Sequence, residues 1–208
     1  MTDLPDLLTR GGPVIWAIGA LSVITLALIL WKLFRLSALG AWSGGRVTAQ
    51  AITDWQTGNP EGALSRLAPR RSVRARLAHA AMSARRDATL TADAAREETT
   101  RIARALLAEL RSGLRPLDLI VTIAPLLGLL GTVLGMIAAF QALQEAGAQA
   151  DPATLAGGIW EALLTTAMGM AVAIPASMAL TWFDSIADRL QAEMEDDATR
   201  IFTRGGPR

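Results

Sequence analysis

Apolar residues in this chain are gathered into three long runs, at 11–31, 119–140 and 155–183, instead of being spread in short periodic stretches. Each run is long enough, at about 1.5 Å of rise per residue, to cross a hydrocarbon core of about 30 Å as a helix. The pattern predicts an all-α membrane protein with three spanning helices. Arg10 precedes the first run, and Lys32 and Arg35 follow it. A cleaved leader would need a basic start and a shorter apolar core, whereas this one carries Asp3 and Asp6, so the first run is expected to stay as a span.

The segment between spans one and two is polar and rich in Ala, Arg, Leu and Glu. Glycine and proline cluster at 40–45 and 58–62 and are then absent from 72 to 112, which predicts one long helix there. Leu77, Ala81, Ala84, Ala88, Ala95, Ile102, Leu106 and Leu110 give that helix a weak apolar stripe suited to packing on other helices. Gly113 and Pro116 mark where the chain restarts as span two, with Asp118 placed to meet the positive end of the new helix. Beyond span three, Ile186, Leu190, Met194 and Ile201 recur among charges, so that helix is expected to run on as an amphipathic tail.

Charge sets the orientation. Lys32, Arg35 and Arg46 follow span one, and Arg101, Arg104, Arg111 and Arg115 precede span two. The 141–154 connection has no Lys or Arg and carries Glu145 and Asp151. By the positive-inside rule the N-terminus and that connection lie outside, and the 32–116 segment and the C-terminus lie in the cytoplasm. The arginines at 70, 71, 74, 76, 85 and 86 fit a solvated helical face near an anionic leaflet better than a nucleic-acid patch.

Composition narrows the chemistry. Of the 208 residues 51% are hydrophobic and 19% charged, with a net charge of +1 and no global field to attract nucleic acid. The chain has no cysteine and a single histidine, His79, so disulfides, thiol catalysis and the usual zinc sets are not expected. An intramembrane hydrolase would need paired acids or a serine with a base in the spans, and the spans hold neither. No enzyme and no cofactor are expected.

What the spans do hold is a sparse polar set: Thr122, Thr132, Glu161, Thr165 and Thr166. Such groups in hydrocarbon are costly unless they meet a partner, a wet cavity or the membrane surface. Thr132 lies about 20 Å from the cytoplasmic start of span two, and Thr166 about 16 Å from the outer start of span three. In antiparallel neighbours the two hydroxyls therefore share a level. Glu161 is closer to the outer end, about 9 Å in, where the helix dipole and snorkelling can also accommodate it. Thr165 lies one turn from Glu161, whereas Thr166 points roughly 140° away from it. Small residues surround the set. Gly128, Gly131 and Gly135 let span two approach a neighbour closely, and Ala162, Thr166, Gly169 and Ala173 form a similar surface on span three. Pro125 and Pro175 each remove one backbone hydrogen bond. A hydroxyl does not titrate, and the spans lack a mid-membrane acid, so a carboxylate supplied by a partner is inferred.

Two stretches carry a family resemblance. The run from Ala124-Pro125-Leu126-Leu127-Gly128 through Leu129-Leu130-Gly131-Thr132-Val133 to Gly135 resembles the second span of the ExbB/TolQ/MotA proton-channel family. The run Gly158-Ile159-Trp160-Glu161-Ala162, then Thr165-Thr166 and Gly169, with Ala173-Ile174-Pro175-Ala176, is similar to its third span. Three spans favour the ExbB/TolQ branch, ExbB-like first. The chain departs from the family pattern at Trp160, at Thr165 and at Trp182-Phe183.

The resemblance implies a homopentamer around a central pore that holds the helices of an ExbD/TolR-like single-span partner. That partner's membrane aspartate would exchange protons beside Thr132 and Thr166, with Thr165 and Glu161 on the same path. The expected layout is a periplasmic N-terminus at 1–10, spans at 11–31, 117–140 and 155–183, a cytoplasmic helical domain at 32–116, a periplasmic turn at 141–154 and a cytoplasmic helix at 184–208. The expected role is a stator subunit of a bacterial inner-membrane motor. It would use the proton motive force to energise outer-membrane transport through a TonB-like transducer. A TolQ-like motor acting through a TolA-like transducer in envelope integrity, and a non-conducting membrane scaffold, are the alternatives.

Overall fold

A computed structural model of the chain describes residues 12–43, 45–147 and 151–203. The expected segment 1–10, Gly11, residues 148–150 of the expected turn and the last residues 204–208 lie outside the described part. Seven helices follow in order among the described residues: α1 (Gly12–Ala38), α2 (Gly45–Gln56), α3 (Pro60–Leu67), α4 (Val73–Arg86), α5 (Ala92–Arg111), α6 (Leu114–Ala146) and α7 (Pro152–Thr203). Three of them, α1, α6 and α7, are long and apolar enough to cross a membrane. The all-helical expectation holds for the described residues, and α7 is a single helix of 52 residues that contains both span three and its polar tail.

The breakers stand where the glycine and proline clusters put them. Gly58 takes φ +86°, and Asn59 caps α3 by accepting from Gly62 N ahead of Pro60. Gly113, at φ +80°, separates α5 from α6. One break was not anticipated. The expected single helix over 72–112 is divided at 87–91, and α4 and α5 pack against each other. No glycine or proline does this. Asp87 Oδ1 accepts from Thr89 N and from Thr89 Oγ1, and Thr91 Oγ1 accepts from Ala94 N to start α5. Short polar side chains thus replace helical hydrogen bonds with local ones. Ala88, assigned to the apolar stripe, is exposed in this turn, while Leu77, Ala81, Ala84, Ala95, Leu106 and Leu110 are buried as expected.

The chain divides into two units. One takes the chain up to Leu30 together with Gly113–Thr181. Its outward side chains are large and apolar, among them Leu26, Leu126, Val133, Phe140, Leu163 and Met178. That inversion of the usual pattern suits a hydrocarbon solvent.

The other unit, Trp31–Ser112 with the chain from Trp182, has a conventional interior. Trp55, Ile52, Leu67 and Met82 from α2–α4 bury their side chains with Ile201 from the end of α7. Its arginines do not form one free patch. Arg76 pairs with Glu109 at 3.0 Å, Arg86 meets Glu61 at 4.0 Å and Arg111 meets Asp188 at 2.9 Å, while Arg85 donates to the Ile201 carbonyl. Arg70 and Arg71 remain exposed, and His79 is half-buried.

Arg74 is the central cation of this unit. It grips Asp197 through Nε at 2.9 Å and Nη2 at 3.1 Å, and Glu193 through Nη1 at 2.9 Å. Asp197 is 3% exposed. Burial pushes its carboxyl above the usual value, outweighing the pull of Arg74. Because the folded state then holds the proton more readily than the unfolded chain, this group's contribution is most favourable at acid pH and is lost as pH rises through its folded pKa. Replacing Arg74 by Met strands the carboxylate and is expected to cost about 3 kcal/mol at neutral pH. The R74M/D197L pair should cost less, and the R74M deficit should shrink at acid pH, where Asp197 is protonated. Thermal unfolding of the purified proteins followed by circular dichroism at both pH values measures the order.

Candidate functional site

Spans two and three meet along their glycines. A Cβ built on Gly169 would lie 2.5 Å from the Ala124 carbonyl oxygen and 3.1 Å from Gly128 Cα. On Gly128 it would meet the Thr165 carbonyl oxygen at 2.9 Å, and on Gly135 the Ala162 Cβ at 2.9 Å. Backbone therefore lies against backbone from Ala124 to Gly135 on α6 and from Ala162 to Gly169 on α7. Pro125 and Pro175 lie inside these two helices, which continue through them.

This closeness brings the threonines together. Thr132 Oγ1 and Thr166 Oγ1 share a hydrogen bond. Each also reaches a carbonyl of the opposite helix: Thr132 Oγ1 lies 3.1 Å from the Ala162 oxygen, and Thr166 Oγ1 lies 3.1 Å from the Gly128 oxygen. Gly128 is four residues before Thr132, and Ala162 four before Thr166. Each threonine thus bonds across to the turn that its partner would ordinarily back-bond, and Thr132 Oγ1 also lies 3.2 Å from the Gly128 oxygen of its own helix. Thr165 Oγ1 completes the group, 2.7 Å from the Ala162 oxygen and 3.0 Å from the Gly128 oxygen.

Three hydroxyl protons face two carbonyls and one another. A hydroxyl has one proton and two lone pairs, so it cannot donate along every one of these directions. Thr165, at 3% exposure, is closed in against Gly131 and is satisfied by Ala162. Thr132 and Thr166 are half-buried and keep a lone pair each for an outside donor. Thr132 opens onto a surface cleft of about 460 Å³ lined by Val133, Met136, Ile137 and Phe140.

Glu161 stands elsewhere. It is half-buried and lines a second cleft of about 510 Å³ with Gly135, Gly158, Ala162 and Thr165, closed by Pro13 and Val14 of α1. Glu161 and Thr165 share this cleft and Thr166 does not line it, as the helical wheel requires. Thr122 is exposed and bonds its own helix, with Oγ1 3.2 Å from the Asp118 oxygen, so it stays apart from the cluster. Sequence reasoning overlooked the two carbonyls of Gly128 and Ala162. The i−4 spacing from each threonine was the available sign. It also overlooked the role of α1 in walling the Glu161 cleft. Among the described residues no group of acidic or histidine side chains is arranged to hold a metal.

The MotA/TolQ/ExbB proton channel family model matches residues 69–196, a stretch that contains the glycine seam and all three threonines. The chain belongs to this family. Among its relatives are biopolymer transport protein exbB1 of Vibrio cholerae, 44% identical over 87 residues, and biopolymer transport protein ExbB of Xanthomonas campestris, 37% identical over 87 residues. Each of those matches covers 42% of this chain, and they cover 38% and 34% of the respective relatives. Tol-Pal system protein TolQ of Haemophilus influenzae is 42% identical over 77 residues, covering 37% of this chain and 32% of that protein. The matched region thus spans between about a third and two fifths of these relatives. The names place the chain in the ExbB/TolQ branch, with ExbB-like relatives favoured.

The seam makes its own prediction. Gly169→Ala forces a methyl group into backbone and should destabilise the spans by about 1–3 kcal/mol through overpacking. Gly157, which has nothing within 4 Å of such a Cβ, should tolerate alanine. Unfolding of the two variants in detergent, against the parent, checks the contrast.

Proposed function

We propose that this chain is the proton-channel subunit of a bacterial inner-membrane motor, and that Thr132 and Thr166 line its proton path. The observation that carries this reading is the crossed hydroxyl pair on a glycine seam in a member of a proton-channel family. A pair with spare lone pairs can hold a water or accept from a protonated carboxyl. It cannot itself carry charge, so the titrating group is an aspartate in the membrane segment of an ExbD/TolR-like single-span partner. The exposed apolar strip of Val133, Ile137 and Phe140 beside Thr132, and that of Leu163, Met170 and Ile174 on α7, give such a partner or further copies of this chain an apolar surface to contact. Thr165 backs the pair from inside, and Glu161 serves the mouth of the path from its own cleft.

A proton moving inward gains about 2.3 kcal/mol for each 100 mV. The partner aspartate, neutral beside the threonines and recharged after release, would convert that gain into motion of its helix. In the assembly we propose, a homopentamer surrounds the partner helices. The Lys and Arg distribution supports an orientation with the N-terminus in the periplasm and the C-terminus in the cytoplasm. The names of the ExbB relatives point to biopolymer transport, driven through a TonB-like transducer, as the energised process.

Thr132→Val and Thr166→Val keep side-chain size and remove the hydroxyl. In a complex of the full chain with its partner in proteoliposomes, each should lower proton-driven activity at least roughly tenfold, the equivalent of about 1.4 kcal/mol in the barrier. Thr166→Ser should retain most of the activity. Wild-type proton flux from both valine variants, with assembly intact, would remove these residues from the path.

A further inference from the structure

The unit formed by Trp31–Ser112 and the chain from Trp182 carries large aromatic side chains on its outside. Trp31, Trp42 and Trp182 are exposed, and Phe34 is 77% exposed. Trp42 and Trp182 pack on each other with ring centroids 6.2 Å apart, and Trp182 rests on buried Phe183 at 5.4 Å. The two cations at the start of this unit part ways. Lys32, which would ordinarily extend its amine to the membrane surface, is 2% exposed, and its Nζ donates to the carbonyls of Leu110 and, at 2.7 Å, Ser112. Arg35 instead lies over the Trp31 ring, 5.2 Å from its centroid.

The turn that presents Trp42 is firmly built. Gly40 N donates to Ser37 O and Ala41 N to Leu36 O, both at 3.0 Å, the double closure that a glycine at φ +69° permits at a helix end. Leu39 and Ala41 are buried, and Leu39 O accepts from Val73 N at 3.1 Å. A Cβ on Gly40 would lie 2.6 Å from Ser72 Cβ. The turn is therefore fastened to the start of α4, directly after Arg70 and Arg71. Both arginines are exposed, and among the described residues neither has the carboxylate partner that Arg74, Arg76 and Arg86 have. Asp184, two residues past Trp182, acts on Lys32.

We infer that the 39–43 turn is a lipid-contact surface, with Trp42 and Trp182 seated in the headgroup layer and Arg70 and Arg71 holding anionic phospholipid headgroups. With Phe34 at the edge of the hydrocarbon, the four residues to Ala38 rise about 6 Å, about the thickness of one headgroup layer. The turn goes no deeper into water, because Ala41 folds back onto Leu36. Indole rings favour this layer, where one edge is apolar and the other wet. A guanidinium fork matches the paired oxygens of a phosphodiester. The inference rests on the membrane location of the chain and not on the proton path.

Titration of the full chain in neutral detergent with a fluorescent phosphatidylglycerol, and with a phosphatidylcholine of the same chains, tests the headgroup preference. The parent should bind phosphatidylglycerol more tightly, and R70Q/R71Q should weaken that binding about fivefold for each arginine removed. Arg104→Gln removes an exposed arginine of α5 that also lacks a carboxylate partner among the described residues, and it should leave the binding unchanged. Depth is read separately in nanodiscs. The chain has no cysteine, so a spin label at exposed Ser43→Cys reports on the turn alone. Oxygen should reach that label better than a water-soluble nickel chelate does, and Trp42→Ser should reverse the order. Equal binding of the two lipids by the parent overturns the inference, as does a loss in Arg104→Gln as large as in R70Q/R71Q. Displacement of phosphatidylglycerol by inorganic phosphate would mark an ion site in place of a lipid surface, and free nickel access at Ser43→Cys in the parent would put the turn in water. None of these readouts involves proton flux, so they decide the lipid surface whatever becomes of the proton path.

Discussion

Two helices in hydrocarbon gain nothing from hiding apolar surface, because lipid tails are as apolar as leucine, so close contact must come from packing and hydrogen bonds. In this chain that constraint is met by contact of backbone with backbone at Gly128 and Gly169. Once the helices touch there, the carbonyl of Gly128 is within reach of hydroxyls on the other helix, and Ala162 stands in the same relation to Thr132. The polar cluster is therefore a product of the glycines as much as of the threonines. Larger residues at the seam would separate the helices and leave Thr132 with only the Gly128 carbonyl of its own preceding turn, which it already approaches at 3.2 Å. The same close approach leaves the second cleft, where Glu161 stands among glycine and alanine.

The second unit solves a different problem with different groups. It has an ordinary core around Trp55 and Met82, and long basic side chains hold the ends and flanks of its helices. Arg74 ties α4 to α7 through two carboxylates, Arg85 meets the carbonyl of Ile201 near the end of α7, and Lys32 meets the end of α5. Lys32, which counts as a positive-inside signal in the sequence, thus also serves as an internal fastening. A cation at a helix C-terminus meets both the free carbonyls and the negative end of the dipole.

Much of this was open to reading along the chain. The three spans, the restart at Gly113 and the extension of α7 past Asp184 follow from apolar run length and breaker placement. The common level of Thr132 and Thr166 follows from helical rise, and the structure joins the two by a hydrogen bond. The break at 87–91 did not stand out, because aspartate and threonine interrupt a helix by side-chain capture of backbone groups and not by a forbidden backbone angle. The burial of Lys32 was equally hidden. Its neighbours in sequence are those of a snorkelling lysine, and only the chain near Leu110 reveals its partners.

What the sequence determined by itself was the number of spans, the approximate ends of the spanning helices, the small-residue faces and the absence of a titrating acid at mid-membrane depth. Those depend on solvent, rise per residue and side-chain size, which are properties of short stretches. The tertiary structure alone decided which polar atoms meet. Thr165 is closed in behind Gly131 while its neighbour Thr166 stays half-open, and Glu161 faces a cleft walled by α1. Those outcomes depend on the rotation and separation of packed helices, where a shift of an ångström makes or breaks a hydrogen bond.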